Sequence, residues 1–398
     1  MVIHRKADMS DKPVNILFLG GPTTFTKYKV INYQGPRYLY EGLLRYGGKY
    51  NIKVVAACRN LFANPACLYD PHELTPRLFE IEDLRRALNS HPIFTMEDLH
   101  NIQEADVYCI HTTFGANHKQ RTYDPKSIVY KSTKIAVKEM LNNYVVDFAK
   151  LYNKKLIVLE TGTLSRIRSN YTEQVTPYLN HFPRYERVSL NHWNYDSGKW
   201  CKADGLHKVD KLIEYCAKAP DIYKPITNVY GHTWKNNKNG YIMIVGGYDG
   251  DPSHSYASVP DFITTAHKAI RACSGRKIVF RPHPYSYEHH KELLEGLGID
   301  IINPTLGLRD IAKDCYCAII DNSTSVFELV NLGIPCVCTP SSFAYPLGNH
   351  DLAKVEDLYY ADSQQVLDWY KDMSFTEFST DELYSEDIGR YIRELIDD

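Results

Sequence analysis

Tyr316-Cys-Ala-Ile-Ile-Asp321-Asn-Ser-Thr-Ser325-Val-Phe-Glu328-Leu-Val-Asn-Leu332-Gly-Ile-Pro335-Cys-Val-Cys-Thr339 decides the fold. The apolar run Tyr316–Asp321 reads as a strand buried on both faces, which is the habit of parallel sheets. It ends in hydroxyl residues that open a helix from Ser325 to Leu332. Gly333 and Pro335 break that helix before a second strand, Pro335 to Thr339. Strand, helix, strand in one direction is a βαβ unit, and its crossover is right-handed. The pattern continues upstream. Tyr241-Ile-Met-Ile-Val245 ends at Gly246-Gly247, Asp261 to Cys273 reads as a helix, and Lys277-Ile-Val-Phe-Arg281 ends in Pro-His-Pro. Ile299 to Ile302 is a further short strand.

The first half repeats this logic. Val14-Asn-Ile-Leu-Phe-Leu19 runs into Gly20-Gly21-Pro22, and Tyr38 to Tyr46 reads as a helix with Leu39, Leu43 and Leu44 on one face. Lys53 to Ala57, Asp106 to His111 and Lys155 to Glu160 are strands, with helical stretches between them such as Thr133 to Tyr152. Pro220, Pro225, Gly231 and Lys235-Asn-Asn-Lys-Asn-Gly240 interrupt regular structure. The expected organisation is therefore a Rossmann-like domain over 1–230, a second over 231–380 and a C-terminal helix within 381–398. Alternating elements place the fold in the α/β class. Two such halves, with the loops at their strand ends facing a central cleft, have the outline of the GT-B fold.

The 398 residues suffice for two cores. No apolar run is long enough to span a membrane, and Met1 to Lys12 lacks the apolar stretch of a signal peptide. Most of the ten cysteines sit in apolar runs, which points to a reduced, cytoplasmic protein and not to a disulfide scaffold. The net charge of −2 conceals an asymmetry. Residues 1–230 hold 32 Lys+Arg against 23 Asp+Glu, and the remainder holds 14 against 25. A basic half suits an anionic partner, although surface charge also drifts without purpose.

Two stretches carry chemistry. Arg281-Pro-His283-Pro delivers a guanidinium and an imidazole to the end of a strand, where they can bind a diphosphate and stabilise its charge as it leaves. Ser323, Thr324 and Ser325 open a helix, and such a start can hold an anion; ordinary capping needs the same residue types. Glu328, one turn in, has the chemistry to accept from ribose hydroxyls. Together these motifs resemble the donor domain of capsule-type glycosyltransferases, the Kdo-transferase and polysialyltransferase-like enzymes. Related domains occur in phage proteins that decorate modified DNA bases. The resemblance covers about residues 241–345. It implies phosphate contacts from Arg281, His283, Ser323, Thr324 and Ser325, ribose contacts from Glu328, and a donor loop at Gly246 and Gly247. It also implies a catalytic role for His283. In the first half Glu160-Thr-Gly162 resembles the acidic turn that supplies the family's general base. Asp106, Asp147 and Asp196 are weaker candidates.

No metal or other cofactor is expected. Asp249-Gly-Asp251 has metal-binding spacing, but GT-B enzymes usually do without a metal. Cys315-x-Cys317 and Cys336-x-Cys338 have strand spacing with no second half of a zinc site, and His289-His290 reads as a solvated helix face. Lys119, Arg121, Lys126 and Lys131, with Tyr123 and Tyr130 interleaved and Arg166 and Arg168 beyond the proposed base, form a basic aromatic set suited to an anionic polymer. The reading is a glycosyltransferase, inverting, using a nucleotide-sugar donor, with a hydroxylated pyrimidine in phage DNA as acceptor. A capsule or surface polysaccharide is the alternative acceptor, and a nucleotide-sugar epimerase or non-catalytic binder is the alternative of another class.

Overall fold

A computed structural model of the chain describes residues 12–19, 34–57, 104–111, 153–162, 185–190, 206–218, 226–247, 254–283, 290–303 and 306–397. The chain divides into two compact units. The first comprises Met1–Gly162, Pro183–Trp193 and Phe378–Asp398, and the second Thr163–Phe182 and Asn194–Glu377. This division differs from a single boundary at 230. The chain passes between units more than once, and its last helix returns to the first unit. Both units are α/β, the class expected.

In the first unit β1 (Val14–Leu19) lies between β2 (Ile52–Ala57) and β3 (Val107–His111), all parallel, with helix α1 (Gln34–Tyr46) between β1 and β2 in sequence. β4 (Lys155–Thr161) extends the sheet in parallel, and β5 (Tyr185–Leu190) pairs with it antiparallel. Ile16, Val107, Ile157 and Val188 are each no more than 1% exposed, so the strands bury their apolar residues as a covered sheet should.

The first described element of the second unit is α2 (Leu206–Lys218). Its sheet contains β6 (Tyr241–Val245), β7 (Ile278–Arg281), β8 (Asp300–Ile301), β9 (Cys315–Ile320) and β10 (Cys336–Cys338). All the pairings are parallel, in the order β10-β9-β6-β7-β8. Numbered within the unit this is 5-4-1-2-3, the doubly wound order. The connection from β8 crosses to the other side of β6, so the switch point lies between β6 and β9. Ligands bind outside the carboxyl ends at such a point because the loops on either side diverge there.

Helix α3 (Val259–Cys273) joins β6 to β7. Ser258 caps it by accepting from the Asp261 amide at 3.2 Å, and Val259, Phe262, Ile263, Ala266 and Ile270 form its buried stripe. They pack on Ile242, Ile244, Phe280 and Ile319 of the sheet. The short helices α4 (Lys291–Gly296) and α5 (Leu308–Ile311) precede β8 and β9, and α6 (Ser325–Asn331) joins β9 to β10. α7 (Ser363–Phe375) starts with a capping box between Asp362 and Gln365.

β11 (Glu377–Ser379) then joins the edge of the first sheet beside β5. It leads into the short α8 (Thr380–Leu383) and the terminal α9 (Glu386–Asp397), where the sequence suggests one helix from Asp381 to Ile396. α9 is held by Lys49–Glu386 at 2.7 Å, Tyr391 to the Val188 carbonyl at 3.2 Å, and Arg393 to the Lys12 carbonyl at 2.9 Å. Among the described residues no helix is long and apolar enough to cross a membrane.

Candidate functional site in the second unit

β7 brings Arg281 to its carboxyl end, and the Gly246 amide donates to the Arg281 carbonyl at 2.9 Å. The arginine is thereby fixed beside the end of β6. Burial draws its guanidinium below its ordinary pKa, and the charge of Glu328 opposes that shift. Glu328 sits in the first turn of α6, so Arg281 and Glu328 come from separate elements into electrostatic reach. The Arg281 Nε is buried and makes no hydrogen bond. Pro282 is buried and His283 is half-buried two residues on.

At the end of β9 the chain turns through Asp321 and Asn322 to Ser323, Thr324 and Ser325, which are half-buried. Ser323 Oγ accepts from the Ser325 amide at 3.3 Å. Thr324 holds the N-cap position of α6 without a capping hydrogen bond from its side chain. The capping that these residue types invite is thus only partly used.

Gly246 and Gly247 follow β6 directly, and their lack of a Cβ has a plain structural cause. A Cβ at Gly246 would lie 2.6 Å from Phe280 Cζ. One at Gly247 would meet the His254 ring, with Nε2 at 3.1 Å, and Asn322 Oδ1 at 2.5 Å. Three segments therefore converge on Gly247.

That convergence contains a pair that sequence reasoning did not single out. His254 Nδ1 lies 2.7 Å from Asp321 Oδ2, and both side chains are 1% exposed. Asp321 Oδ1 also accepts from the Thr339 hydroxyl at 2.6 Å and the Ser255 amide at 3.1 Å. Ser255 Oγ is 2.8 Å from Ser341 Oγ. A signal was present: Asp321 ends an apolar strand, and His254 lies in a Ser-His-Ser run before α3.

The remaining candidates divide sharply. Lys119, Arg121, Lys126, Lys131, Arg166 and Arg168 lie outside the described residues, as do Asp147, Asp196, Asp249, Asp251, His289 and the helix expected over 133–152. For Glu160 the backbone is described: it lies in β4, opposite Arg187 of β5. Asp106 accepts from the Asn15 amide at 2.9 Å, at the amino ends of β1 and β3 and away from the ligand end of the sheet. His290 is not on a solvated face. It is buried, edge-on to Phe280 with ring centroids 6.3 Å apart. Cys315, Cys317, Cys336 and Cys338 are free and buried; burial pushes the Cys315 and Cys338 thiols up to about 12. Among the described residues no three His, Cys, Asp or Glu side chains assemble as metal ligands.

No protein-family model matches the chain, and no curated protein matches it in sequence. Among solved structures the chain is similar to Thermosulfurimonas dismutans KpsC, a beta Kdo 2,7 transferase. The match covers 93% of this chain and 98% of that one, at 12% identity and a TM-score of 0.38. It is similar to Methanocaldococcus jannaschii UDP-GlcNAc 2-epimerase over 96% and 99%, at 13% identity and a TM-score of 0.24. It is also similar to the E. coli heptosyltransferase WaaC over 83% and 92%, at 13% identity and a TM-score of 0.24.

Proposed function

We propose that the chain is a GT-B glycosyltransferase that binds a nucleotide-sugar at the carboxyl ends of β6, β7 and β9. The observation that carries this reading is that Arg281 at the end of β7 and Glu328 in the first turn of α6 lie within electrostatic reach of one another at the carboxyl ends of a doubly wound sheet. A partly buried guanidinium with an unused donor suits a phosphate, because a charge-assisted hydrogen bond gains most where water is thin. His283 joins it at the phosphates, Ser323, Thr324 and Ser325 offer hydroxyls, and Glu328 takes the ribose.

In the proposed reaction Glu160 removes the proton of an acceptor hydroxyl. The hydroxyl oxygen forms its bond to the anomeric carbon as the bond from that carbon to phosphate oxygen breaks. Arg281 and His283 stabilise the charge on the departing nucleotide. One displacement inverts the sugar, and the proposed route uses no metal because the Arg281 guanidinium and hydrogen bonding from His283 stabilise the leaving charge.

For the acceptor we favour a hydroxylated pyrimidine in DNA, on the strength of Lys119, Arg121, Lys126, Lys131, Arg166 and Arg168 in the sequence. A thermal-shift panel of UDP, GDP, CMP and their sugars tests the donor reading. A ligand at 100 times its Kd stabilises by about 2.7 kcal/mol. Absence of any shift across the panel refutes the reading. Sugar interconversion without an acceptor points to an epimerase instead.

A further inference from the structure

The donor set above leaves a buried network unused. One carboxylate, Asp321 at the end of β9, ties down two other segments. His254 and the Ser255 amide come from the segment before α3, and Thr339 from just beyond β10. A carboxylate only accepts, so His254 Nδ1 is the donor of the 2.7 Å bond. Desolvating two ionisable groups costs several kcal/mol each, and an apolar pair of similar volume stabilises a fold as well or better. Packing alone does not call for such a pair.

Its location supplies a role. The pair holds Ser255 Oγ at 3.1 Å from Thr339 Oγ1 and 2.8 Å from Ser341 Oγ, so three hydroxyls cluster where the segment before α3 meets the chain just beyond β10. Ser255 is exposed, and Thr339 and Ser341 are half-buried, so the cluster faces solvent. β10 and β7 are three strand spacings apart in the sheet order, about 14 Å. The hydroxyl cluster and Arg281 therefore lie on opposite sides of the switch point. Neutral hydroxyls suit the nucleoside end of a nucleotide, and the guanidinium suits its phosphates.

We propose that His254 and Asp321 are positioning residues, and that Ser255, Thr339 and Ser341 form a preorganised subsite for the nucleoside part of the donor. This rests on the donor reading above. Within it, the His254–Asp321 bond fixes the hydroxyls and so removes the ordering cost of binding.

The test measures Kd of the full chain for its preferred nucleoside diphosphate from the panel and, separately, for inorganic pyrophosphate. Ser255→Ala and Thr339→Val each weaken the nucleotide about tenfold, the loss of one good hydrogen bond, and leave pyrophosphate unchanged. Arg281→Met weakens both ligands. His254→Gln weakens the nucleotide, and adding Ser255→Ala to it costs less than in the native background, because the pair acts through that hydroxyl. Ser255 is exposed, so Ser255→Ala folds and keeps the test decisive if His254→Gln does not. A native chain that binds no nucleotide overturns the donor reading and this one with it. A native chain that binds, with Ser255→Ala and Thr339→Val folded and unchanged in Kd, overturns the subsite alone. Equal loss of nucleotide and pyrophosphate overturns it as well.

Discussion

Gly247→Ala is the sharpest single perturbation of the switch point. The new methyl would run into the His254 imidazole and lie 2.5 Å from Asn322 Oδ1. Neither neighbour has an easy retreat. His254 is bonded to Asp321 at 1% exposure, and Asn322 is buried. Displacing the donor of a buried hydrogen bond to a carboxylate leaves the acceptor unsatisfied and costs about 3 kcal/mol or more. Overpacking with backbone adjustment costs about 1–3 kcal/mol. The smaller cost wins, so the pair holds and the strand ends shift. The expected destabilisation is about 1–3 kcal/mol, a fall in Tm of several degrees for a unit of this size. Gly275→Ala is the control: nothing lies within 4 Å of its Cβ position and its φ is not positive. There the reduced freedom of the unfolded chain stabilises by up to about 1 kcal/mol. Both variants are followed by circular dichroism through thermal and guanidinium unfolding. If Gly247→Ala unfolds within about 0.5 kcal/mol of Gly275→Ala, the packing described at the end of β6 is wrong.

Four further outcomes are expected. Arg276 stacks 3.7 Å from the Tyr316 ring centroid and meets both Glu356 oxygens at 2.9 and 3.0 Å, so Arg276→Ala costs about 2–3 kcal/mol. Arg276→Lys recovers less than half in urea titrations; full recovery would show that charge alone matters. Gly333 has φ +74° and its Cβ would sit 2.5 Å from the Thr233 carbonyl oxygen, so Gly333→Ala destabilises by 2 kcal/mol or more, roughly. A neutral result there would refute the turn. Burial lowers the His232 pKa from the ordinary 6.5, against the opposing bond to the Asn228 carbonyl, so the unfolded chain takes up that proton first. The associated stability is complete above about pH 6.5 and declines as pH falls through the folded value; His232→Gln should flatten this decline in unfolding midpoints, and an unaltered slope would exclude His232 as its source. Alkylation of the folded protein at pH 8, read by peptide mass spectrometry, should label exposed Cys273 and spare Cys315, Cys317, Cys336 and Cys338, whose thiols burial pushes up. Equal labelling would contradict the buried sheet.

Local pattern made much of the second unit legible. Tyr241–Val245 is a strand with the bounds the apolar run suggests, and α3 and α6 begin and end within two residues of their periodic stripes. β5 escaped notice because Glu186 and Arg187, both 2% exposed, interrupt any apolar alternation. Their burial depends on neighbours remote in sequence. The return of α9 to the first unit was equally hidden, since Tyr391 and Arg393 find partners at Val188 and Lys12 far along the chain.

The amino-acid sequence by itself determined the α/β class, the run of strands that makes the second sheet, and the presence of an Arg-Pro-His turn and a hydroxyl run at strand ends. Those follow from periodicity and residue type, which act over a few neighbours. Tertiary structure alone decided the strand order, and hence that β6 and β9 flank a switch point. It also decided that Arg281 comes within electrostatic reach of Glu328, and that His254 lies buried on Asp321 against Gly247. The reason is physical: a strand's place in a sheet and a side chain's burial depend on chain segments tens of residues away, and no local pattern encodes that distance.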